Sequence, residues 1–469
     1  MNPSEITALI EDQGIKLIDL KFSDLFGDWH HFTATLNEYS EDLFTEGLSF
    51  DGSHIRLSQS AERGKYVAVP DPKTAWIDAF NEERTLSLIC SIQESATLEP
   101  FGRDPRGVAR KAEIYLRNSG IADTASFSSN TQFFIFDDVR FEYRTNGSFH
   151  NVDSTEGIWN GAREEFPNLG NKIRLAEGYS PVLPTDSLQD IRNEICLELE
   201  KAGIRVDRHS HGSATAGQAQ IDIGFAPLLI QGDQMQCFKY IAKNSAKQHN
   251  KVATFMPKPL FGDHGSRMRT HISLWKEGRN LFAGDQYVGL SDLALYFIGG
   301  ILKHAHALAA FTNPATNSYR PFHTDAEGPF TLTYSARNRS AAIGVSAGLL
   351  KSKTKSIEFR TPDSAATSYT AFSATLMAGL DGIQNQLNPG KALETNSEIE
   401  VSNHEPLPLA LPDSLPDALN ALAADHEFLL KGDVFTTEFI SSWIDQKTSE
   451  CEALRIRPHP YEFALYFDR

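Results

Sequence analysis

Asn130/Gln132, His209/His211, Gln218/Gln220, Arg269/His271 and Glu358/Arg360 each stand two positions apart within strand-like sequence. Successive side chains on a strand point to opposite faces, so each pair falls on one face. Strands sharing one curved sheet would converge these polar groups on its concave side, which builds a pocket for a polar small molecule. The ten residues include a single carboxylate, Glu358. Holding divalent cations for phosphate chemistry takes several anionic oxygens, so the pattern favours an uncharged or anionic ligand over a metal. His209, His211, His264 and His271 could in principle hold a transition metal, since imidazole suits zinc. Arg267 and Arg269 beside them oppose it, and no metal ligand is assigned.

The elements that must position these residues can be read from pattern. In the first hundred residues, short β-rich runs (KLIDLKFSDLFG, KYVAVP, TLSLICSI) alternate with turn clusters, a small strand-rich domain. PRGVARKAEIYLRNSG then predicts a helix, with Gly120 as its C-cap. Beyond it, FFIFDDVRFEY, AQIDIGFA, MRTHISLW and SIEFRTP predict strands. The helices expected are DIRNEICLELEKAG, MQCFKYIAKNSAKQHN, DLALYFIGGILKHAHALAAF and SYTAFSATLMAGLDGIQNQL. Strands and helices mix without strict βαβ order, which predicts an α+β fold. The division expected is residues 1–103 and 104–469. NHEPLPLALPDSLPDA reads as a surface connection into terminal helices.

At 469 residues the chain exceeds one ordinary core. With 44 basic against 61 acidic residues, its net charge of −17 argues against nucleic acid or an anionic membrane as partner. Four scattered cysteines suggest neither a disulfide framework nor a zinc site. The N-terminus lacks a basic segment followed by an apolar one. Leu293–Phe311 is apolar but carries Lys303, His304 and His306, a buried helix rather than a membrane span. A cytoplasmic location is expected.

Longer strings carry a resemblance. Phe50-Asp51-Gly52-Ser53, Ala214 to Gln218 (ATAGQ), Ala253 to Asp263 (ATFMPKPLFGD), Asn313 to Tyr319 (NPATNSY) and Tyr334 to Ser340 (YSARNRS) occur in this order. They resemble the signature segments of bacterial type I glutamine synthetase, from Asp24 to the terminal RPHPYEFALYF. The resemblance implies an N-terminal β-grasp domain and a C-terminal domain with a concave antiparallel sheet. It also implies a dodecamer of two stacked hexameric rings with sites at subunit boundaries. The family's funnel holds two divalent cations on five glutamates and a histidine. At those positions this chain has Asn130, Gln132, Gly212, Gln220 and Arg269, and keeps only Glu358. A guanidinium in place of a ligand would repel a cation by about 4 kcal/mol at ~4 Å and an effective dielectric near 20. Pro321 and Gly344 stand where the family has arginines, while Arg339, Arg360 and Glu327 remain. His264 takes a glutamate-binding asparagine position and His54 a serine position. Asn396-Ser397-Glu398 replaces the loop of the tyrosine that many type I enzymes modify.

These replacements lead to the expectation of a glutamine synthetase homologue not competent for Mg-ATP-dependent glutamine synthesis. Its metal-independent pocket would bind or transform a small carboxylate- or amino-acid-like compound. Asn130, Gln132, His209, His211, Gln220, Arg269, Arg339, Glu358 and Arg360 would line it, the arginines gripping an anionic group. If it is an enzyme, Asp51 (reaching a neighbouring subunit) or Glu327 would serve as base and His54, His264 or His271 as acid. No cofactor is expected. Two alternatives stay open: a non-catalytic metabolite-binding or glutamine synthetase-associating homologue, and an unconventional ATP-dependent γ-glutamyl ligase, for which ATP and Mg²⁺ or Mn²⁺ are required.

Overall fold

The computed structural model describes residues 1–53, 64–162, 164, 170–321, 330–346, 355–394 and 410–469. An N-terminal helix, Pro3–Gln13, is set by a capping box in which Asn2 and Glu5 satisfy each other's backbone N–H groups. Six strands follow: β1 (Leu17–Ser23), β2 (Trp29–Thr35), β3 (Leu48–Asp51), β4 (Lys65–Pro70), β5 (Trp76–Asp78) and β6 (Thr85–Glu94). They form one sheet in the order β2-β1-β6-β4-β3, with β5 on β6 and a parallel β1–β6 pair at its centre. Ile6, Ile10, Ile18, Leu20, Phe22, Leu86, Leu88 and Ile92 fill the core between helix and sheet. This is the small strand-rich domain that the sequence predicts.

Asp104 then caps the helix Pro105–Asn118 by accepting from the Arg106 N–H, and proline at the first helical position suits that start. That helix ends at Ser119; Gly120, with φ of +71°, is the residue after the cap. Its Arg106 is fully buried and ties the two parts of the chain together. The guanidinium donates to both oxygens of Asp233 at 2.8 and 2.9 Å, to Asp71 at 2.8 Å and to Ser91 at 2.9 Å.

The second sheet is built from β7 (Thr124–Phe136), β10 (Val206–His211), β11 (Gln218–Pro227), β12 (Val252–Thr254), β13 (Met268–Lys276), β14 (Arg279–Asn280), β15 (Thr331–Ser335), β16 (Ala341–Val345) and β17 (Ile357–Phe359). Its main order is β10-β11-β7-β13-β17-β16-β15, antiparallel except for β15–β16. A separate hairpin pairs β8 (Asp138–Arg144) with β9 (Gly147–Asp153). FFIFDDVRFEY, expected as one strand, therefore breaks at Asp137, whose N–H turns to the Asp153 carbonyl.

β7 shows how the sheet divides. Phe127, Ser129, Thr131 and Phe133 point to one face, Ser128, Asn130 and Gln132 to the other. On the apolar face Phe127 stacks on Phe372 and Phe133 meets Phe238, on the helices Ser368–Gln384 and Leu228–Gln248. Each fully buried phenylalanine stabilises the fold by about 1.5–3 kcal/mol.

DLALYFIGGILKHAHALAAF, expected as one helix, is two, Asp292–Lys303 and Ala305–Thr312, bent by 76°. The break falls at His304, which is held between Asp381 at 3.0 Å and Asp425 at 2.7 Å and stacks on Phe428. The bend fits the chain around neighbours at a point where tertiary contacts replace helical continuity. No single helix among the described residues is long and apolar enough to cross a membrane, and this bent pair is mostly buried. The first part of NHEPLPLALPDSLPDA, 403–409, lies outside the described residues. Its end starts the helix Leu415–Ala424, capped by Ser414.

Candidate functional site

The polar face of the second sheet is assembled by register. Gln220 on β11 faces Gln132 on β7, and Asp222 faces Asn130. Across β7, Arg269 on β13 also faces Asn130, and His271 faces both Ser128 and Glu358. Glu358 in turn faces Gly344 on β16, and Arg360 follows Glu358 by two positions. Direct antiparallel partners share a face, so Asn130, Gln132, Gln220, Arg269, His271, Glu358 and Arg360 do converge.

The histidines of β10 do not join them. Ser210 is the residue opposite Gln220, so His209 and His211 face Ile221 and Ala219 on the helix-covered side. His211 is buried between the carbonyl of Gly178 at 2.8 Å and Glu156 at 3.1 Å. His209 meets Asn193 at 2.9 Å and Arg192, both on the helix Gln189–Lys201. The expectation that His209 and His211 line the pocket is thus corrected. With a side-chain period of two, the neighbouring position carries the inward face.

The remaining candidates are spread out. Asp51 ends β3 on the first sheet, exposed, its Oδ1 accepting from the Ser53 N–H at 2.9 Å. His264 is half-buried in a loop anchored to the polar face, where Gln218 donates from Nε2 to the Gly265 carbonyl at 2.9 Å. Arg339 is exposed and contributes a carbonyl that accepts from Arg360. His54 and Glu327 lie outside the described residues.

Two residues that sequence reasoning missed belong to this face. Asp222 stands two positions beyond Gln220, so the face has a second carboxylate, and simple extension of the alternation would have found it. Arg208 faces Asp222 on β10 and donates to it. The polar row then continues: Gln220 donates to Asp222 at 3.4 Å, Gln132 donates to Gln220 at 3.3 Å, and the Arg267 N–H donates to Gln132 Oε1 at 3.1 Å. The Gln132 and Gln220 amides are thus satisfied within a row that crosses three strands, β10, β11 and β7.

At the other end, Arg360 donates from Nε to Glu358 at 2.8 Å and from Nη1 to the Asn338 carbonyl at 2.9 Å. Burial opposes ionisation of Glu358, but Arg360, His271 and Arg269 prevail and hold its pKa below the usual value. His271 is shifted down, chiefly by burial; Glu358 and Asp222 counteract this and Arg269 and Arg360 add to it. The imidazole is therefore neutral at pH 7.

Both carboxylates of the face are paired with arginine, and the Gln132 and Gln220 amide oxygens already accept hydrogen bonds. Among the described residues no three His, Cys, Asp or Glu side chains come together as a metal site. The arrangement can bind an oxyanion through guanidinium groups and hold a neutral imidazole beside it.

A small sheet of grasp type is joined here to a largely antiparallel sheet with one polar and one helix-covered face, and the comparisons say which family shares this architecture. Family models described as the glutamine synthetase β-grasp domain and catalytic domain match residues 14–95 and 102–466. The glutamine synthetase of Microchaete diplosiphon is 47% identical over 468 residues, 99% of each chain. That of Aquifex aeolicus is 49% identical over 467 residues, again 99% of each. The cryo-EM structure of Plasmodium falciparum glutamine synthetase superposes with a TM-score of 0.91 at 27% identity, covering 99% of both chains. This chain belongs to the glutamine synthetase family.

These identities overturn the expectation of a homologue unable to make glutamine, and with it the repurposed pocket and the non-catalytic alternative. That expectation rested on a few positions of one sheet face. The finding against it runs from end to end, with nearly half of all residues shared with proteins named glutamine synthetase.

Proposed function

We propose that the protein is a glutamine synthetase, an ATP-dependent ligase joining ammonia to the side-chain carboxylate of glutamate and releasing ADP and phosphate. The observation that carries this reading is 47–49% identity over 99% of the chain to proteins of that name. In such a reaction a carboxylate oxygen takes the terminal phosphoryl group of ATP, and ammonia then displaces phosphate.

The chain's own residues suit parts of that chemistry. Arg269 and Arg360 meet oxyanion charge, where phosphoryl transfer depends on positioning and charge neutralisation. Glu358, kept ionised, fixes the Arg360 guanidinium. His271, neutral, can take a proton from the incoming amine. Asp51, Glu327, His54 and His264 stand as further acid–base candidates, Asp51 from a neighbouring copy. ATP is the co-substrate on this reading and is supplied with Mg²⁺ or Mn²⁺, but no step is assigned to a cation on this face.

An assay of purified protein with glutamate, ammonium and Mg-ATP, following glutamine by mass spectrometry together with released phosphate, tests the reading. Coupled formation of both at ~1 s⁻¹ or faster is expected. Phosphate and glutamine no higher than in an enzyme-free control overturn it.

The same reading includes a homo-oligomer, proposed as a dodecamer of two hexameric rings. Its support is the C-terminal helix Pro460–Tyr466, where Tyr461, Phe463, Tyr466 and the following Phe467 are all exposed. Such an aromatic segment is a surface for a second copy.

A further inference from the structure

A cavity of about 430 Å³ lies on the helix-covered side of the second sheet, away from the polar face. One wall comes from the first sheet, through Lys73, Thr74, Trp76 and Ile89. The other comes from the helices Pro105–Asn118 and Leu228–Gln248 and from Ile204. Small-molecule pockets commonly measure about 300–1,000 Å³ and favour such junctions between domains. Arg106 spans the two walls through its bonds to Asp71 and Asp233, which holds the space open before any ligand arrives.

The lining has an apolar part and a charged part. Trp76, Ile89, Ile204 and Cys237 are buried side chains, and Leu229 and Ile230 open the first turn of Leu228–Gln248, Ile230 at 45% exposure. Four carboxylates and three cations complete the lining, so a count alone would favour a cationic ligand. What each charge already holds reverses that. Asp71 and Asp233 are taken by Arg106. Glu113 accepts from the Leu229 N–H at 3.1 Å, and Asp123 from the Glu277 N–H at 2.7 Å. The cations other than Arg106 are far less committed. Arg117 is half exposed and only 3.9 Å from Glu113. Among the described residues, no acceptor engages the exposed Lys73 ammonium. The turn that carries Lys73 is itself fixed: Asp71 accepts from the Lys73 N–H at 3.1 Å, and the Thr74 hydroxyl accepts from the Ile89 N–H at 2.8 Å.

We propose that this junction cavity is a second small-molecule site, separate from the polar face, for an organic acid with an aromatic or branched apolar body. The body lies against Trp76 and the aliphatic side chains, and the carboxylate takes charge-assisted hydrogen bonds from Lys73 and Arg117. The proposal does not rest on the ligase reading, because its test needs no turnover.

The full chain is titrated calorimetrically with 1-naphthoate and, separately, with 1-naphthylmethylammonium, which carry opposite charges on similar bodies. Wild type should bind the naphthoate at millimolar concentration or below, and the ammonium at least about tenfold more weakly. Lys73→Glu or Arg117→Glu should weaken naphthoate by at least about tenfold, the size of a hydrogen bond to a charged group. Both substitutions fall on open side chains, so folding should be retained, and thermal melts check it. Saturating L-glutamate should leave the naphthoate affinity within about twofold. A cryo-EM map of the protein with saturating naphthoate should show density beside Trp76. The proposal is overturned if wild type fails to bind naphthoate at millimolar concentration or binds the ammonium as tightly. It is equally overturned if both charge variants bind naphthoate as wild type does, if L-glutamate displaces it, or if its density lies only outside this cavity.

Discussion

His211 and Glu156 meet at 3.1 Å with neither side chain exposed, a contact that binds β10 to a loop 55 residues earlier in the chain. The same Glu156 oxygen accepts from the Gly217 N–H at 2.8 Å, and its other oxygen accepts from Ser187. The pair thus anchors the loop preceding β11 from behind the polar face.

Glu156→Gln should therefore destabilise the protein by about 3–5 kcal/mol, the usual result of removing one partner from a buried ion pair. Burial opposes both charges, but each partner favours the other's charged form: the Glu156 pKa lies below its ordinary value and the His211 pKa above. The Glu156 contribution is present above its unfolded value, near 4.3, and lost as pH falls through its lowered folded value. The His211 contribution is present below its unfolded value, near 6.5, and lost as pH rises through its raised folded value. Urea unfolding across pH should show the Glu156→Gln deficit greatest between about pH 4.3 and 6.5, where both contributions are present. A deficit no larger inside that window than on either side of it would refute the pairing as a source of stability.

Arg106 gives a second stability prediction. Its guanidinium joins Asp233 on Leu228–Gln248 to Asp71 beside the first sheet, with Arg106 and Asp233 buried and Asp71 partly open. Asp233→Ala leaves the cation with one carboxylate and also strips the Tyr369 hydroxyl of its acceptor. A loss of about 3–5 kcal/mol is expected, read as a lower urea midpoint. Asp233→Asn keeps acceptors for both neighbours and should lose less.

Much of this architecture was legible. Alternation placed β7, β11, β13 and β17, and i, i+2 spacing found seven of the residues that share the polar face. What failed was parity on β10. His209-Ser210-His211 offers two attractive residues around a plain one, and only pairing with β11 shows that Ser210 faces inward. Asp222 was missed although it continues the Gln218, Gln220 alternation. The bend at His304 was hidden because it comes from Asp381 and Asp425, far along the chain, rather than from local sequence. The functional reading erred by weighting substitutions at one site over whole-length similarity.

Removal of residues 458–469 tests the assembly. These residues carry four large exposed aromatics and little contact that would hold the subunit's own fold. Multi-angle light scattering at micromolar concentration should show a smaller particle than the full chain, with helical content nearly unchanged by circular dichroism. An unaltered mass would place the contacts between copies elsewhere.

The last prediction concerns pH and catalysis together. His271 is pushed below the ordinary histidine value mainly by burial, and Arg269 and Arg360 push in the same direction. It is therefore neutral at pH 7 and gains its proton only below ~6.5. If it accepts a proton from the amine, kcat/KM should fall as acidification passes its lowered pKa, because the protonated ring can no longer act as a base. Glu358 remains ionised through that range, since its own pKa is depressed, so the acid limb reports His271 without loss of the Arg360 pair. His271→Gln should lower turnover by about 10²–10⁴-fold, the range for a general acid–base group, and flatten that limb. The variant removes a titrating group whose neutral form is favoured by the fold, so stability should change little at neutral pH. Activity within tenfold of wild type, with the acid limb intact, would mean that the proton goes to another group and that His271 serves only to pack against Phe225 and Glu358.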